Sequence, residues 1–299
     1  MRNRKPLFPH IEGLPTRVTT PTQRRDEREQ RLPPNAPMER PALKLEVPNA
    51  PQHGLRVALV MDTQVKEDAP IDHLRAYGRY IADKQPDVIV AIGDWWDFPS
   101  LSFHNKPGSL ELEGRRYNRD FAAGRSAMDV FLKPIAKVAG YKPLMVFTLG
   151  NHDILPSRQA AEDARLDGTL IDPTRVLKDY GWLVYDFLQP VTIAGVAFCH
   201  YFPSGIMGRP ITTSRSLLNK LHMSAVAGHQ QGRDIAYSRR ADGSLMTGII
   251  SGAFYQHDER YLSPFANGHW RGTWFLHEVK DGQFDEMAIS IDFLKRRYG

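Results

Sequence analysis

The chain has 299 residues, 41% hydrophobic and 24% charged, which suits one large globular domain or two small ones. No run approaches the roughly 18 apolar residues of a membrane-spanning helix, and the basic start MRNRKPLFPHIEG lacks the apolar stretch of a secretory signal. A single cysteine, Cys199, excludes an intramolecular disulfide and suits a reducing compartment, so the cytoplasm is the expected location and no membrane the expected partner.

The net charge of +5 is unevenly placed. Residues 1–50 carry ten of the 39 Lys and Arg against six of the 34 Asp and Glu, which leaves the body nearly neutral. The same stretch holds nine of the 22 prolines and no sustained helical or alternating period. Residues 1–53 are therefore expected to form an extended or disordered basic arm ahead of a domain at 54–299. Such an arm strengthens phosphate contacts without reading sequence, or is simply a solvated leader.

From residue 55, LRVALVM is a short apolar run rich in β-branched residues, as in a strand covered on both faces. PIDHLRAYGRYIADKQP (70–86) has helical spacing and opens on Pro and Asp, favourable first-turn residues. DVIVAIG (87–93) predicts the next strand, 118–140 a helix kinked or ended near Pro134, and PLMVFTLG (143–150) a third strand. This alternation predicts parallel pairing with right-handed crossovers. From about residue 182 the chain reads as strand-rich and largely antiparallel, with hairpins turning at ADGS and KDGQ. The expected class is α/β, plausibly two packed sheets.

Ligands of open α/β sheets bind beyond the carboxyl ends of the strands. Here the first run ends in Asp62 and Gln64, the second in GDWWD with Asp94 and Asp97, and the third in GNHD with Asn151, His152 and Asp153. VAFCH ends in His200, and AVAGHQQ in His229 and Gln231. Singly, each has a structural explanation: Asp caps helices and turns, Asn tolerates left-handed backbone, and a histidine at a strand end is commonly just hydrogen-bonded. Together they form a mixed carboxylate, amide and imidazole set, the kind a pair of divalent cations requires.

The ordered motifs DTQ, GDWWD, GNHD, CH and GHQQ resemble those of the calcineurin-like metallophosphoesterases, over about residues 55–299. The resemblance implies a four-layer α/β/β/α sandwich with mixed sheets and two metal ions. It implies that Asp94 bridges the metals, that Asn151, His200 and His229 complete one site, and that Asp62, Gln64 and Gln231 complete the other. It also places His152 near the leaving-group oxygen, as acid or electrostatic partner, with Asp97 orienting its imidazole. The implied reaction is attack on phosphorus by a hydroxide bridging the metals.

Gln64 and Gln231 stand where the family commonly has histidine, both in the same site. An amide oxygen is a hard, neutral donor, so Mn²⁺ is the first expectation, with Mg²⁺, Fe²⁺ or Zn²⁺ as alternatives. His257 or His269 could instead supply a nitrogen, or the site could be empty and the protein mononuclear or inactive. On the substrate side Trp95 and Trp96 are candidates for base stacking, with packing beneath the loop the alternative for at least one. Arg158, Arg209 and Arg233 are candidates for phosphate contacts, with plain solvation the alternative. Cys199, beside His200 on an apolar run, reads as packed and not nucleophilic. The leading expectation is a phosphodiesterase acting on nucleic acid (DNA or RNA) or nucleotides. A phosphomonoesterase or nucleotide pyrophosphatase, or a degenerate nucleic-acid- or partner-binding protein, stands as the alternative.

Overall fold

The computed structural model describes residues 43–102, 109, 112–259 and 267–299, so the expected arm lies outside the described residues up to position 42. In chain order the first half runs β1 (Leu43–Leu45), β2 (Leu55–Val60), α1 (Asp72–Lys84), β3 (Val88–Ala91), α2 (Tyr117–Ile135), β4 (Leu144–Thr148), α3 (Leu155–Glu162), α4 (Pro173–Asp179) and β5 (Leu183–Tyr185). The second half runs β6 (Val191–Ile193), β7 (Val196–Cys199), β8 (Pro203–Ser204), β9 (Arg209–Pro210), α5 (Ser214–Leu221), β10 (Ala225–Ala227), β11 (Arg233–Arg239), β12 (Leu245–Ser251), β13 (Gly272–Lys280), β14 (Gln283–Ser290) and α6 (Ile291–Tyr298). The chain is α/β, with two mixed six-stranded sheets. No helix among the described residues is long and apolar enough to cross a membrane.

The first sheet has the order β14-β13-β2-β3-β4-β5. Its strands β2 to β5 pair in parallel, as the alternating strand and helix pattern predicts. α1 and α2 pack against each other, and α6 packs on α1. Pro134 sits in the last turn of α2, where it cannot donate to the carbonyl one turn earlier, and the helix ends one residue later. Tyr77 of α1 ties the helix to the sheet by donating to Leu59 O at 2.7 Å.

The second sheet has the order β1-β6-β7-β10-β12-β11. Both predicted hairpins form: β11 with β12, and β13 with β14. The second half is nevertheless less antiparallel than its composition suggests, because β10 runs parallel to both β7 and β12. Parallel neighbours need a crossover, and α5 supplies it between β7 and β10. Its eight residues are capped by Thr213, whose side chain accepts from Ser216 N. The expected arm also ends differently. Leu43–Leu45 pairs in parallel with Val191–Ile193 as an edge strand, so the last part of 1–53 belongs to the second sheet. One hydrophobic cluster joins Val57, Ile89 and Val146 of the first sheet to Val191, Phe198, Val226 and Ile249 of the second.

His73 on α1 shows how the core treats a titratable group. It is 1% exposed. Its Nε2–H donates to Phe254 O at 2.9 Å, and Nδ1 accepts from Gln256 Nε2 at 2.9 Å. Burial holds its pKa down to about 4, so the unfolded chain takes up a proton that the folded chain refuses. Stability is then fully present above about pH 6.5 and is lost as pH falls toward 4, by about 3 kcal/mol. Urea unfolding of His73→Gln should show a shallower decline between pH 6.5 and 4 than the natural sequence. An identical decline would mean that His73 does not govern it.

Candidate metal centre

Five of the seven candidate ligands leave their strands through turns that cost backbone energy. Asp62 (φ 36°), Gln64 (φ 40°), Asp94 (φ 53°), His229 (φ 69°) and Gln231 (φ 32°) all adopt left-handed backbone. For residues with a Cβ this costs roughly 1–3 kcal/mol each, and it persists where the surroundings over-determine it. The glycines before the ligands have a steric reason. A Cβ on Gly150 would lie 2.1 Å from Asp94 Oδ1, and one on Gly228 would lie 2.4 Å from Asp62 Oδ2. The sequences GN and GH therefore let two loops close directly onto carboxylates.

Asp94, His200 and His229 place ligand atoms all within 4.8 Å of one another. His200 donates Nδ1–H to Ile92 O at 2.8 Å, which turns the Nε2 lone pair inward. That Nε2 lies 2.9 Å from Asn151 Oδ1 and 3.4 Å from Asp94 Oδ2. His229 Nδ1 also lies 2.9 Å from Asn151 Oδ1. Burial lowers the pKa of His200; burial, then His200 itself, holds His229 down to about 4. Both rings are thus neutral near pH 7, with lone pairs available. Lone pairs converging from four side chains fit a divalent cation.

Asp62 is fully buried beside this group and accepts from His229 N with both oxygens at 3.0 Å. Burial, then the charge of Asp94, raises its pKa well above the ordinary carboxylate range. A buried pair of carboxylates of this kind gains most from a cation. Gln64 is buried, and its backbone N–H donates to Asp94 O at 2.9 Å. Gln231 Oε1 accepts from Tyr255 OH at 2.7 Å. His257 and His269 flank the Tyr255 ring, at centroid distances of 4.5 and 5.8 Å. The side-chain oxygen of Gln231 is therefore engaged by Tyr255, a residue the sequence motifs do not single out.

His152 lies next to the ligands. Its backbone N–H donates to Asp94 Oδ1 at 2.9 Å, and its Nδ1–H donates to the main-chain oxygen of Asp97 at 2.7 Å. Asp97 Oδ1 is 3.3 Å from the same nitrogen. Burial opposes charge on the ring, but Asp94 and then Asp97 outweigh it and push His152 up to about 10. Burial likewise opposes charge on Asp97, yet the bond from His152 and the charge of Lys66 hold it down to about 2. The two therefore form an ion pair at neutral pH.

Asp153 has a structural role. Its carboxylate accepts from the backbone N–H groups of Asp94, Trp95, Trp96 and Gly150 at 2.8–3.2 Å, which staples the GDWWD loop to the GNHD loop. Burial of Cys199 pushes its thiol up to about 12, as expected of a packed residue.

The substrate-side expectations need correction. Trp95 and Trp96 are 1% and 0% exposed, so neither can stack on a base. Their indole N–H groups donate to Gly124 O (2.9 Å) and Phe121 O (3.3 Å) of α2. Trp96 also clusters with Phe98 and Phe121, each 5.7 Å away and nearly parallel to it. A loop with two carboxylates held over a helix needs apolar anchors, and these are they. Arg158 on α3 is exposed, its guanidinium 5.7 Å over Phe187. Phe187 in turn packs beside His200 and Tyr201, and Tyr201 beside His229. Arg158, Phe187 and Tyr201 thus form a rim beside His200 and His229. Arg233 is exposed and lies 4.6 Å over Trp270, and Arg209 is exposed in the β8–β9 hairpin. No contact of either with the ligand group is present among the described residues.

No family model matches the chain. Two curated proteins are similar to part of it: the Gene 54 protein of Mycobacterium phage D29, 37% identical over 101 residues, and the Gene 54 protein of Mycobacterium phage L5, 36% identical over 101 residues. Each match covers 34% of this chain and 37% of the relative's length, so the chain spans just over a third of these relatives.

Proposed function

We propose that the chain is a metal-dependent phosphoester hydrolase of the calcineurin-like metallophosphoesterase type, with its two sheets and flanking helices in a four-layer α/β/β/α sandwich. The observation that carries this reading is the convergence of Asp94, Asn151, His200 and His229, with Asp62 and His152 alongside, from the ends of strands in both sheets. Asp94, Asn151, His200 and His229 would hold one divalent ion; Asp62, Asp94, Gln64 and Gln231 would hold a second, most readily Mn²⁺. When bound, such ions supply Lewis-acid charge to a phosphoryl oxygen and make water more acidic.

The chain's own residues do the rest. The ring of His152 presents positive charge and an N–H toward the leaving oxygen, and Asp97 holds it there. Phe187 and Tyr201 offer aromatic surface beside the cation of Arg158, which suits a phosphodiester flanked by bases. That rim takes over the recognition role that the buried tryptophans cannot fill, and it favours nucleic acid or nucleotides as the substrate class.

The test is hydrolysis of bis-p-nitrophenyl phosphate beside p-nitrophenyl phosphate, with Mn²⁺, Mg²⁺, Fe²⁺ or Zn²⁺ added to the metal-stripped chain. Diester cleavage restored by Mn²⁺ is the expected result. Preference for the monoester would move the protein to the phosphatases. No turnover with any metal, alongside no metal uptake by calorimetry, would sink the hydrolase reading.

A further inference from the structure

We propose that Lys66 is a positioning residue that acts on His152 through Asp97, and thereby sets how well the site assists a poor leaving group. This rests on the reading of the chain as a phosphoester hydrolase with His152 at the leaving oxygen. The basis is a line of alternating charges running away from the metal centre. Asp97 uses its two oxygens separately: Oδ1 faces His152 at 3.3 Å, and Oδ2 faces Lys66 Nζ at 3.1 Å. Lys66 Nζ also donates to Glu259 Oε1 at 2.7 Å, and the same oxygen accepts from His257 Nε2 at 2.6 Å.

The line is built and enclosed. The side chains of Lys66, Asp97 and Glu259 are 16%, 15% and 8% exposed. The backbone fixes Lys66 next to Asp97: Val65 N–H donates to Trp95 O at 2.8 Å, and Asp97 N–H donates to Val65 O at 3.0 Å. Glu259 is fixed in turn, because its N–H donates to Asn267 Oδ1 at 2.9 Å and its carbonyl accepts from Asn267 Nδ2 at 3.0 Å. Without the ammonium, Asp97 and Glu259 become two enclosed carboxylates sharing a space with no cation between them. Their repulsion is then unrelieved, which favours protonating one of them or turning it away. Either change at Asp97 weakens the partner that holds the imidazole of His152. Among the described residues Lys66 Nζ pairs with Asp97 and Glu259 and with none of Asp94, Asn151, His200 and His229, so its direct route to His152 is through Asp97.

The experiment uses the whole 299-residue chain with saturating Mn²⁺ and a series of aryl phosphodiesters running from nitrophenyl to unsubstituted phenyl leaving groups. Nitrophenolate departs with little help, whereas phenolate needs a proton or a positive neighbour. Lys66→Met should lower kcat about 5-fold on the nitrophenyl diester and about 100-fold on the phenyl diester, with KM held within about 2-fold. Lys66→Arg, which keeps the charge, should preserve the natural leaving-group dependence. An equal loss across the series would overturn the positioning role while leaving the hydrolase reading intact. A natural chain that hydrolyses no member of the series would overturn both. Should Lys66→Met not fold, Lys66→Gln runs through the same series with the same two outcomes.

Discussion

Asp94→Asn should raise the thermal midpoint of the metal-stripped chain and, in the same variant, abolish stabilisation by Mn²⁺. The opposite signs follow from what surrounds the residue. Asp94 is 1% exposed and lies among Asp62 and Asp153, both buried and both raised in pKa, first by burial and then by the charge of Asp94. An amide keeps the oxygen that accepts from His152 N but removes the negative charge the others oppose. Relief of that repulsion, partly offset by the lost attraction to His152, should contribute about 1 kcal/mol to the metal-stripped fold. With metal the balance reverses. An ion present at about 100 times its dissociation constant stabilises the natural chain by about 3 kcal/mol, and the asparagine variant should gain almost none. Diester hydrolysis should fall at least about 1,000-fold, since the carboxylate that would hold both ions goes with the charge. Differential scanning calorimetry with and without Mn²⁺ reads both signs. A lower midpoint in the metal-stripped variant, or undiminished stabilisation by Mn²⁺, would show that Asp94 is a structural acid and not a ligand.

The strands that carry the centre were legible because β2, β3 and β4 are short, continuous apolar runs, each stopped by a polar residue at its carboxyl end. Local pattern reports that much, and the ligand candidates follow from it. Other features lie beyond local pattern. The aromatic pair in GDWWD reads equally as a stacking platform or as an anchor, and the choice is made by α2. Gly124 there leaves room for Trp96: a Cβ at that position would come within 1.8 Å of the indole Nε1. The crossover helix α5 is short and polar, so the parallel pairing of β10 is hidden from composition. Lys66 and Glu259 stand 193 residues apart, as remote in sequence as they are close in space. Tyr255, which engages Gln231, follows no motif at all. Ion pairs and hydrogen bonds across that range are fixed by tertiary packing, which leaves no periodic trace.

His152→Ala should lower kcat for hydrolysis of a phenyl diester by about 1,000-fold while leaving Mn²⁺ affinity within about 3-fold of the natural chain. The separation is expected because His152 contacts Asp94 only through its backbone N–H, which alanine retains. What alanine removes is a ring whose positive charge is sustained, against burial, by Asp94 and Asp97. A bound cation offsets the contribution of Asp94 but not that of Asp97, so the imidazole keeps a partner that favours its charged form. A donor of that kind acts on charge that develops during the reaction, so its loss falls on kcat and leaves KM nearly unchanged. Isothermal titration with Mn²⁺, set beside kcat and KM on a diester with an unsubstituted phenyl leaving group, separates the two effects. A matching loss of metal affinity would make His152 part of the metal shell. Unchanged kcat would remove it from the chemistry, and the line of charges through Asp97 and Lys66 would then be a structural ion-pair network with no reacting group at its end.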